Sequence, residues 1–180
     1  MKALEVSISS KRSVFTTPWF DLVEKISKED TGGPHYSINT RDYVSVIAVT
    51  SDGKFPLVRQ FRPAIEQITL ELPSGHVDEG QTPEEAARNE LREETGFIAH
   101  ELIPLGSVSP DTGRLGNRMW CFFAPAVEQD PRTDFVPQPG IEPVMYNKSL
   151  RDLVIATPAF SSALNRAAIL MAVADGHINL

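Results

Sequence analysis

Glu90, Glu93 and Glu94 crowd into a five-residue span, a short way after the glycine- and proline-containing approach Leu72-Pro73-Ser74-Gly75. Carboxylates this close repel and raise one another's pKa unless a cation holds them ionised. Ligation by oxygen alone, without His or Cys, favours a hard divalent ion such as Mg²⁺ or Mn²⁺. The competing reading is a solvated acidic helix with Glu/Arg pairs at helical spacing. The glycine-bearing approach to the helix weighs for the metal site.

Local chemistry defines the helix that carries these groups. Thr82 is a good N-cap, Pro83 suits the first helical position, Glu85 completes a Thr-x-x-Glu capping box, and Gly96 supplies a left-handed terminator. The spacing predicts a helix from Pro83 to Glu94. Glu90 and Glu94 then lie about 40° apart around the axis, with Glu93 just to one side. Ala86, Ala87 and Leu91 mark the face towards the protein body, and Glu85, Arg88 and Arg92 lie opposite.

The run from Gly75 to Phe97, GHVDEGQTPEEAARNELREETGF, resembles the Nudix box, G-x5-E-x7-R-E-U-x-E-E-x-G-U with U an apolar residue. Gly75, Glu90, Leu91, Glu93, Glu94, Gly96 and Phe97 match it. Gln81 stands where the family has Glu, and Asn89 where it has Arg. The family pairs those two as a salt bridge, so a neutral amide–amide contact between Gln81 and Asn89 is expected here. Val58-Arg59-Gln60-Phe61-Arg62-Pro63 and Leu70-Glu71-Leu72-Pro73-Ser74-Gly75 are similar to motifs of the ADP-ribose pyrophosphatase branch, and the likeness is good over positions 40–125.

The resemblance implies metal ligands at Glu90, Glu93, Glu94 and the main-chain carbonyl of Ser74, and a substrate-gripping role for Arg62. The alternative for Arg62 is a surface salt bridge to Glu66 or Glu71. Glu71 is expected at the pocket, with an outward-facing strand position as its alternative. A general base on a late acidic segment is implied; Glu128, Asp130, Asp134 and Glu142 are available, and Glu142 is preferred. Trp19 and Tyr36 are candidates to stack on a base, in competition with plain packing. His76 is read as a loop residue near substrate.

The resemblance implies an α/β fold, a Nudix-type α/β/α sandwich with a mixed sheet and an N-terminal β subdomain, divided as 1–40, a possible dimerisation element, and 41–180. The implied activity is divalent-metal-dependent hydrolysis of the pyrophosphate bond in ADP-ribose or a related nucleoside diphosphate sugar, giving AMP (or NMP) plus a sugar phosphate. The alternatives are dinucleotides such as NADH, nucleoside triphosphates, or a non-catalytic ligand-binding domain for which Gln81 and Asn89 speak. A homodimer is the implied assembly.

Composition is compatible with this. The chain has 180 residues, 41% hydrophobic and 23% charged, enough for one sizeable core. A net charge of −7 argues against binding a nucleic-acid backbone by bulk electrostatics. A phosphorylated substrate then requires bridging cations and a few placed arginines. One cysteine, Cys121, and the lack of a long apolar stretch or signal-like N-terminus give a cytoplasmic expectation, without membrane contact.

Pattern predicts strands at Ser13–Phe15, Trp19–Ile26, Tyr43–Thr50, Phe55–Gln60, Glu101–Val108, Arg118–Ala126 and Ile141–Tyr146. A turn is expected at Asp30–Pro34, and Tyr43–Thr50 and Phe55–Gln60 are read as a hairpin around Ser51-Asp52-Gly53. Glu128–Gly140, with four prolines or glycines, reads as a loop. Helices are expected from the Ser149 cap and from Pro158, capped by Thr157, to Asp175.

Overall fold

A computed structural model describes residues 7–28, 32–132 and 134–180. These divide into two compact units, one made of the described residues up to Asp42 together with Ser109–Arg118, the other of Tyr43–Val108 and Met119–Leu180. The first unit is an antiparallel sheet of β1 (Ile8–Thr16), β2 (Asp21–Ser27) and β3 (His35–Asn39). The first expected strand is thus longer than the predicted one, and the second starts two residues later. Trp19 instead lies in a turn, where the Thr17 hydroxyl accepts from the Trp19 and Phe20 amides. Of the expected turn at Asp30–Pro34, residues 30 and 31 lie outside the described residues.

The second unit is built on β4 (Tyr43–Thr50) and β10 (Met119–Gln129), which pair in parallel. β7 (Ser74–His76) adds antiparallel to β4, while β8 (Phe97–Ile98) and β9 (Ile103–Val108) add to β10. A second sheet contains β11 (Ile141–Tyr146), β5 (Phe55–Arg62) and β6 (Gln67–Glu71).

This arrangement corrects the expected β4–β5 hairpin. The turn forms, with the Thr50 amide donating to the Lys54 carbonyl. Beyond it the strands part into different sheets, β4 taking β7 and β10, and β5 taking β6 and β11.

Alternation along the central strands creates two cores. Val44, Val46 and Ala48 of β4, with Phe122 and Ala124 of β10, pack with Ala86, Ala87 and Leu91 of α1 (Pro83–Thr95). Ile47, Cys121 and Phe123 pack instead with Ala168, Ile169 and Ala172 of α2 (Ala163–Ala174). A mixed sheet with helices on both faces is the α/β/α sandwich expected.

The α1 termini follow from sequence. The Thr82 hydroxyl accepts from the Glu85 amide, the Glu85 carboxylate accepts from the Thr82 amide at 2.8 Å, and Gly96 closes the helix at φ 75°. The last helix does not start at Pro158. Thr157–Phe160 is a turn, the Ala159 carbonyl accepts from the Leu70 amide, and Phe160 is fully buried. Ser162 caps α2 instead, and Asp175 ends it. The Ser149 cap does open a helical turn, which continues as a π-helical segment at Asp152–Ala156.

Thr82→Ala removes the hydroxyl half of the capping box and should cost about 1 kcal/mol. Urea unfolding followed by circular dichroism checks this; an unchanged midpoint contradicts the importance of the cap.

Candidate functional site

The box carboxylates occupy three different environments. Glu94 is buried, 3% exposed, and its Oε2 accepts from the Ser74 amide at 2.8 Å. Burial, reinforced by the charge on Glu90, pushes its pKa up to about 8 against the pull of that amide. Glu90 is half-buried; burial first, then the charges of Glu93 and Asp78, push it up to about 7. Glu93 is exposed and accepts from the Gln138 side-chain amide at 3.2 Å.

Glu90 lies directly against Gly75: a Cβ built there would overlap the Glu90 carboxylate, which would have to swing aside. The β7 segment and α1 are thus joined at two successive residues, through an amide at Ser74 and through the missing side chain at Gly75.

Ser74 and Gly75 also line a cavity of about 460 Å³, together with Tyr43, Arg62, Glu71 and His76. Arg62 and Glu71 form a two-pronged pair, Nε to Oε1 at 2.8 Å and Nη2 to Oε2 at 2.6 Å. The Thr69 hydroxyl donates to Glu71 Oε1 at 2.6 Å. Burial alone would raise the Glu71 pKa, but the Arg62 and Thr69 hydrogen bonds and the Arg62 charge outweigh it and hold the carboxyl below its usual range. The two readings of Arg62 therefore coincide, since its partner is Glu71 and the pair lies in the cavity wall. Burial pushes the Tyr43 phenol up to about 12, so it stays protonated.

Among the described residues no group of three or more His, Cys, Asp or Glu side chains is placed to hold a metal ion. Glu90 and Glu94, whose charges act on one another, form a two-carboxylate set that could share a cation, and Glu93 is exposed. Such a set suits a hard ion that keeps several waters and takes further oxygens from a phosphate. The Arg62 guanidinium, forked to Glu71, acts to lower the Glu94 pKa, but burial outweighs it.

Glu142, Glu128 and Asp130, in the same unit as the cavity, are not among the residues that line it. Glu142, on β11, is exposed and accepts from Arg59 Nε at 2.9 Å and Nη2 at 2.7 Å, in a separate groove with Phe61 and Ile68. Glu128 pairs with His100, and Asp130 with Arg132. Trp19 and Tyr36 belong to the first unit; Trp19 is 70% exposed, and the Tyr36 hydroxyl donates to Glu24. The expected Gln81–Asn89 contact does not form: Gln81 accepts from the Asp78 amide, whereas Asn89 lines a cleft with Arg88 and Arg92.

Sequence reading missed Tyr43 and the first turn of α2, where Ser162, Leu164 and Asn165 complete the cavity wall. The available signal for Asn165 was its place three residues after a serine cap, on a helix face otherwise occupied by Ala168, Ile169 and Ala172.

Comparison with known proteins agrees with the geometry. Residues 39–146 match the NUDIX domain. The chain is 36% identical over 130 residues to the ADP-ribose pyrophosphatase of Bacillus subtilis (strain 168), across 69% of this chain and 68% of that protein. It is 31% identical over 97 residues to the methanol dehydrogenase activator of Bacillus methanolicus, across 51% of this chain and 52% of that protein. A crystal structure of an ADP compounds hydrolase superposes with a TM-score of 0.76 at 22% identity, covering 96% of this chain and 97% of that one, which shows a shared fold. The domain match spans the capped box helix, its carboxylates and the Gly75 contact, and the chain belongs to the Nudix family.

Proposed function

We propose that this Nudix hydrolase cleaves the pyrophosphate bond of ADP-ribose or a related nucleoside diphosphate sugar, releasing AMP (or the corresponding NMP) and a sugar phosphate. The observation that carries the reading is the placement of two buried or half-buried carboxylates, Glu94 and Glu90, against the cavity-lining residues Ser74 and Gly75. The name of the Bacillus subtilis relative supports the choice of substrate class.

Glu90, Glu94 and the Ser74 carbonyl would hold a divalent ion, Mg²⁺ or Mn²⁺, with Glu93 able to join from the exposed side. That ion supplies charge neutralisation for the diphosphate and a more acidic water. Arg62 offers N–H groups to phosphate oxygens, and Glu71 fixes the plane of its guanidinium. Tyr43, protonated, presents a neutral hydroxyl donor in the same wall. In the hydrolysis the water oxygen forms a new bond to one phosphorus, the bridging P–O bond breaks, and each product leaves with one phosphate. Glu142, committed to Arg59 in another groove, has no position in this set from which to take the water's proton.

The reading extends to a homodimer. Ile8, Val14, Phe15 and Ile26 of β1 and β2 are exposed on the first unit, between 39% and 59% of each residue, and apolar area of this kind marks association surfaces. Analytical ultracentrifugation should give twice the 19.9 kDa chain mass. Replacing Phe15 and Ile26 by Asp should yield monomer; a native chain that sediments as monomer contradicts the dimer.

Purified protein with Mg²⁺ should release AMP from ADP-ribose, and Glu94→Gln should lower kcat by about a hundredfold or more. Unchanged turnover in Glu94→Gln removes its assigned role, and silence across a panel of diphosphate substrates favours a ligand-binding domain.

The raised carboxylate pKa values set the pH dependence of stability. Between the unfolded value near 4.5 and about 8, folded Glu94 retains a proton that the unfolded chain has lost, so metal-free stability falls as pH rises through that window. The loss from Glu94 is complete above about 8 and amounts to about 5 kcal/mol at most, and Glu90 adds to it up to about 7. In EDTA, Tm should therefore drop between pH 5 and 8.5, and Mg²⁺ should raise Tm more at pH 8.5 than at pH 6. A Glu94→Gln variant with the same pH slope as the parent contradicts this assignment.

A further inference from the structure

Ser45 occupies a position that the parity of β4 would give to an apolar side chain. Tyr43, Ile47 and Val49 share its face and pack in the α2-side core, yet Ser45 is a fully buried hydroxyl. It stands opposite Ser74 in the β4–β7 register. The Ser74 hydroxyl lies 2.8 Å from the Leu72 carbonyl oxygen and 3.0 Å from Ser45 Oγ. Asn165, 4% exposed, reaches in from the first turn of α2. Its Oδ1 accepts from the Leu72 amide at 3.1 Å, and its Nδ2 points to Ser45 Oγ at a longer 3.4 Å.

Counting protons gives these contacts a direction. Each hydroxyl has one proton to donate. The Ser74 hydroxyl is the donor towards both the Leu72 carbonyl and Ser45 Oγ, sharing its one proton between them, and Ser45 also accepts from Asn165. The Leu72 amide then returns to Asn165 Oδ1, and the four residues close a ring. Satisfied networks of this sort are rigid in a low-dielectric interior, where an unpaired member would be costly.

The ring has one exit towards the carboxylates. Ser74, fixed by its side chain on one side, donates its amide to Glu94. We propose that Asn165 and Ser45 are positioning residues that set the Ser74 main chain, and through it the orientation of Glu94, for a divalent cation. This rests on the metal-dependent reading above. Hydroxyl and amide groups behind metal ligands act in this way elsewhere, and losing one typically weakens metal affinity by about ten- to a hundredfold. The Ser74 hydroxyl itself is the link, so removing either end of the Ser45–Ser74 contact should have the same consequence.

The test measures Mn²⁺ binding by electron paramagnetic resonance, alongside amide hydrogen exchange and melting temperature, for the parent, Ser45→Ala, Ser74→Ala, the double variant and Asn165→Ala. Ser45→Ala and Ser74→Ala should each weaken Mn²⁺ binding by roughly tenfold, and the double variant by no more than either alone. The Ser74 amide should exchange faster in both. Asn165→Ala should weaken binding and also release the Leu72 amide to exchange; should it not fold, the two serine variants carry the test. A parent that binds Mn²⁺ through Glu94, with serine variants that match its affinity and merely melt lower, overturns the positioning role. A parent that binds no Mn²⁺, or binds it equally well as Glu94→Gln, overturns the metal reading and this proposal with it.

Discussion

The site depends on keeping carboxylates of α1 away from water and against a strand. Ionised groups are costly to bury, and Glu94 has only the Ser74 amide and the distant attraction of Arg62 in its favour. The result is a carboxyl whose proton is held far above its ordinary range. A cation that binds the charged form must displace that proton, so its binding is coupled to pH. The glycine at 75 lets the Glu90 carboxylate lie at short range, since a Cβ there would displace it.

The scaffold keeps the strand and the helix in register from two directions. On one face of β4 the small residues Ala86 and Ala87 let α1 sit close against Val44 and Val46. From the other face, α2 sends Asn165 to the Leu72 amide, and Ala159 just before it takes the Leu70 amide. The β6–β7 connection, which runs between Glu71 and Ser74, is therefore held from the α2 side while α1 holds its far end through Glu94. Arg62 and Glu71 lock one more side of the cavity, across the β5–β6 pair.

What could be read directly in the sequence was the local chemistry. The cap at Thr82, the capping box to Glu85 and the glycine stop at 96 involve partners a few residues apart, so the α1 boundaries follow from spacing alone. β4 and β11 were equally plain, being apolar and bounded by turn or loop residues. Pairing was not, because a turn signal such as Ser51-Asp52-Gly53 says that the chain reverses and not which strands remain neighbours. The start of α2 was hidden for a related reason: Thr157-Pro158 is a sound cap, but Phe160 is wanted in the core and Ala159 at the β6 amide. At the site, the resemblance put Arg62 and Glu71 at the pocket, while spacing left Arg62 open to a salt bridge with Glu66 or Glu71; the partner needed the β5–β6 pairing to be known. Ser45 carried a signal only in its parity, a hydroxyl in the series Tyr43, Ser45, Ile47, Val49, and its meaning needed Ser74 and Asn165 beside it.

The central claim, that Glu94 and Glu90 are protonated by their burial and ionised by a cation, is tested most directly by counting protons. Isothermal calorimetry of Mn²⁺ binding in buffers of differing ionisation enthalpy gives the number released per ion bound. With carboxyl values near 8 and 7, roughly one proton or more should leave on binding at pH 7, and close to none at pH 9. Binding at pH 7 that releases no proton would contradict the account.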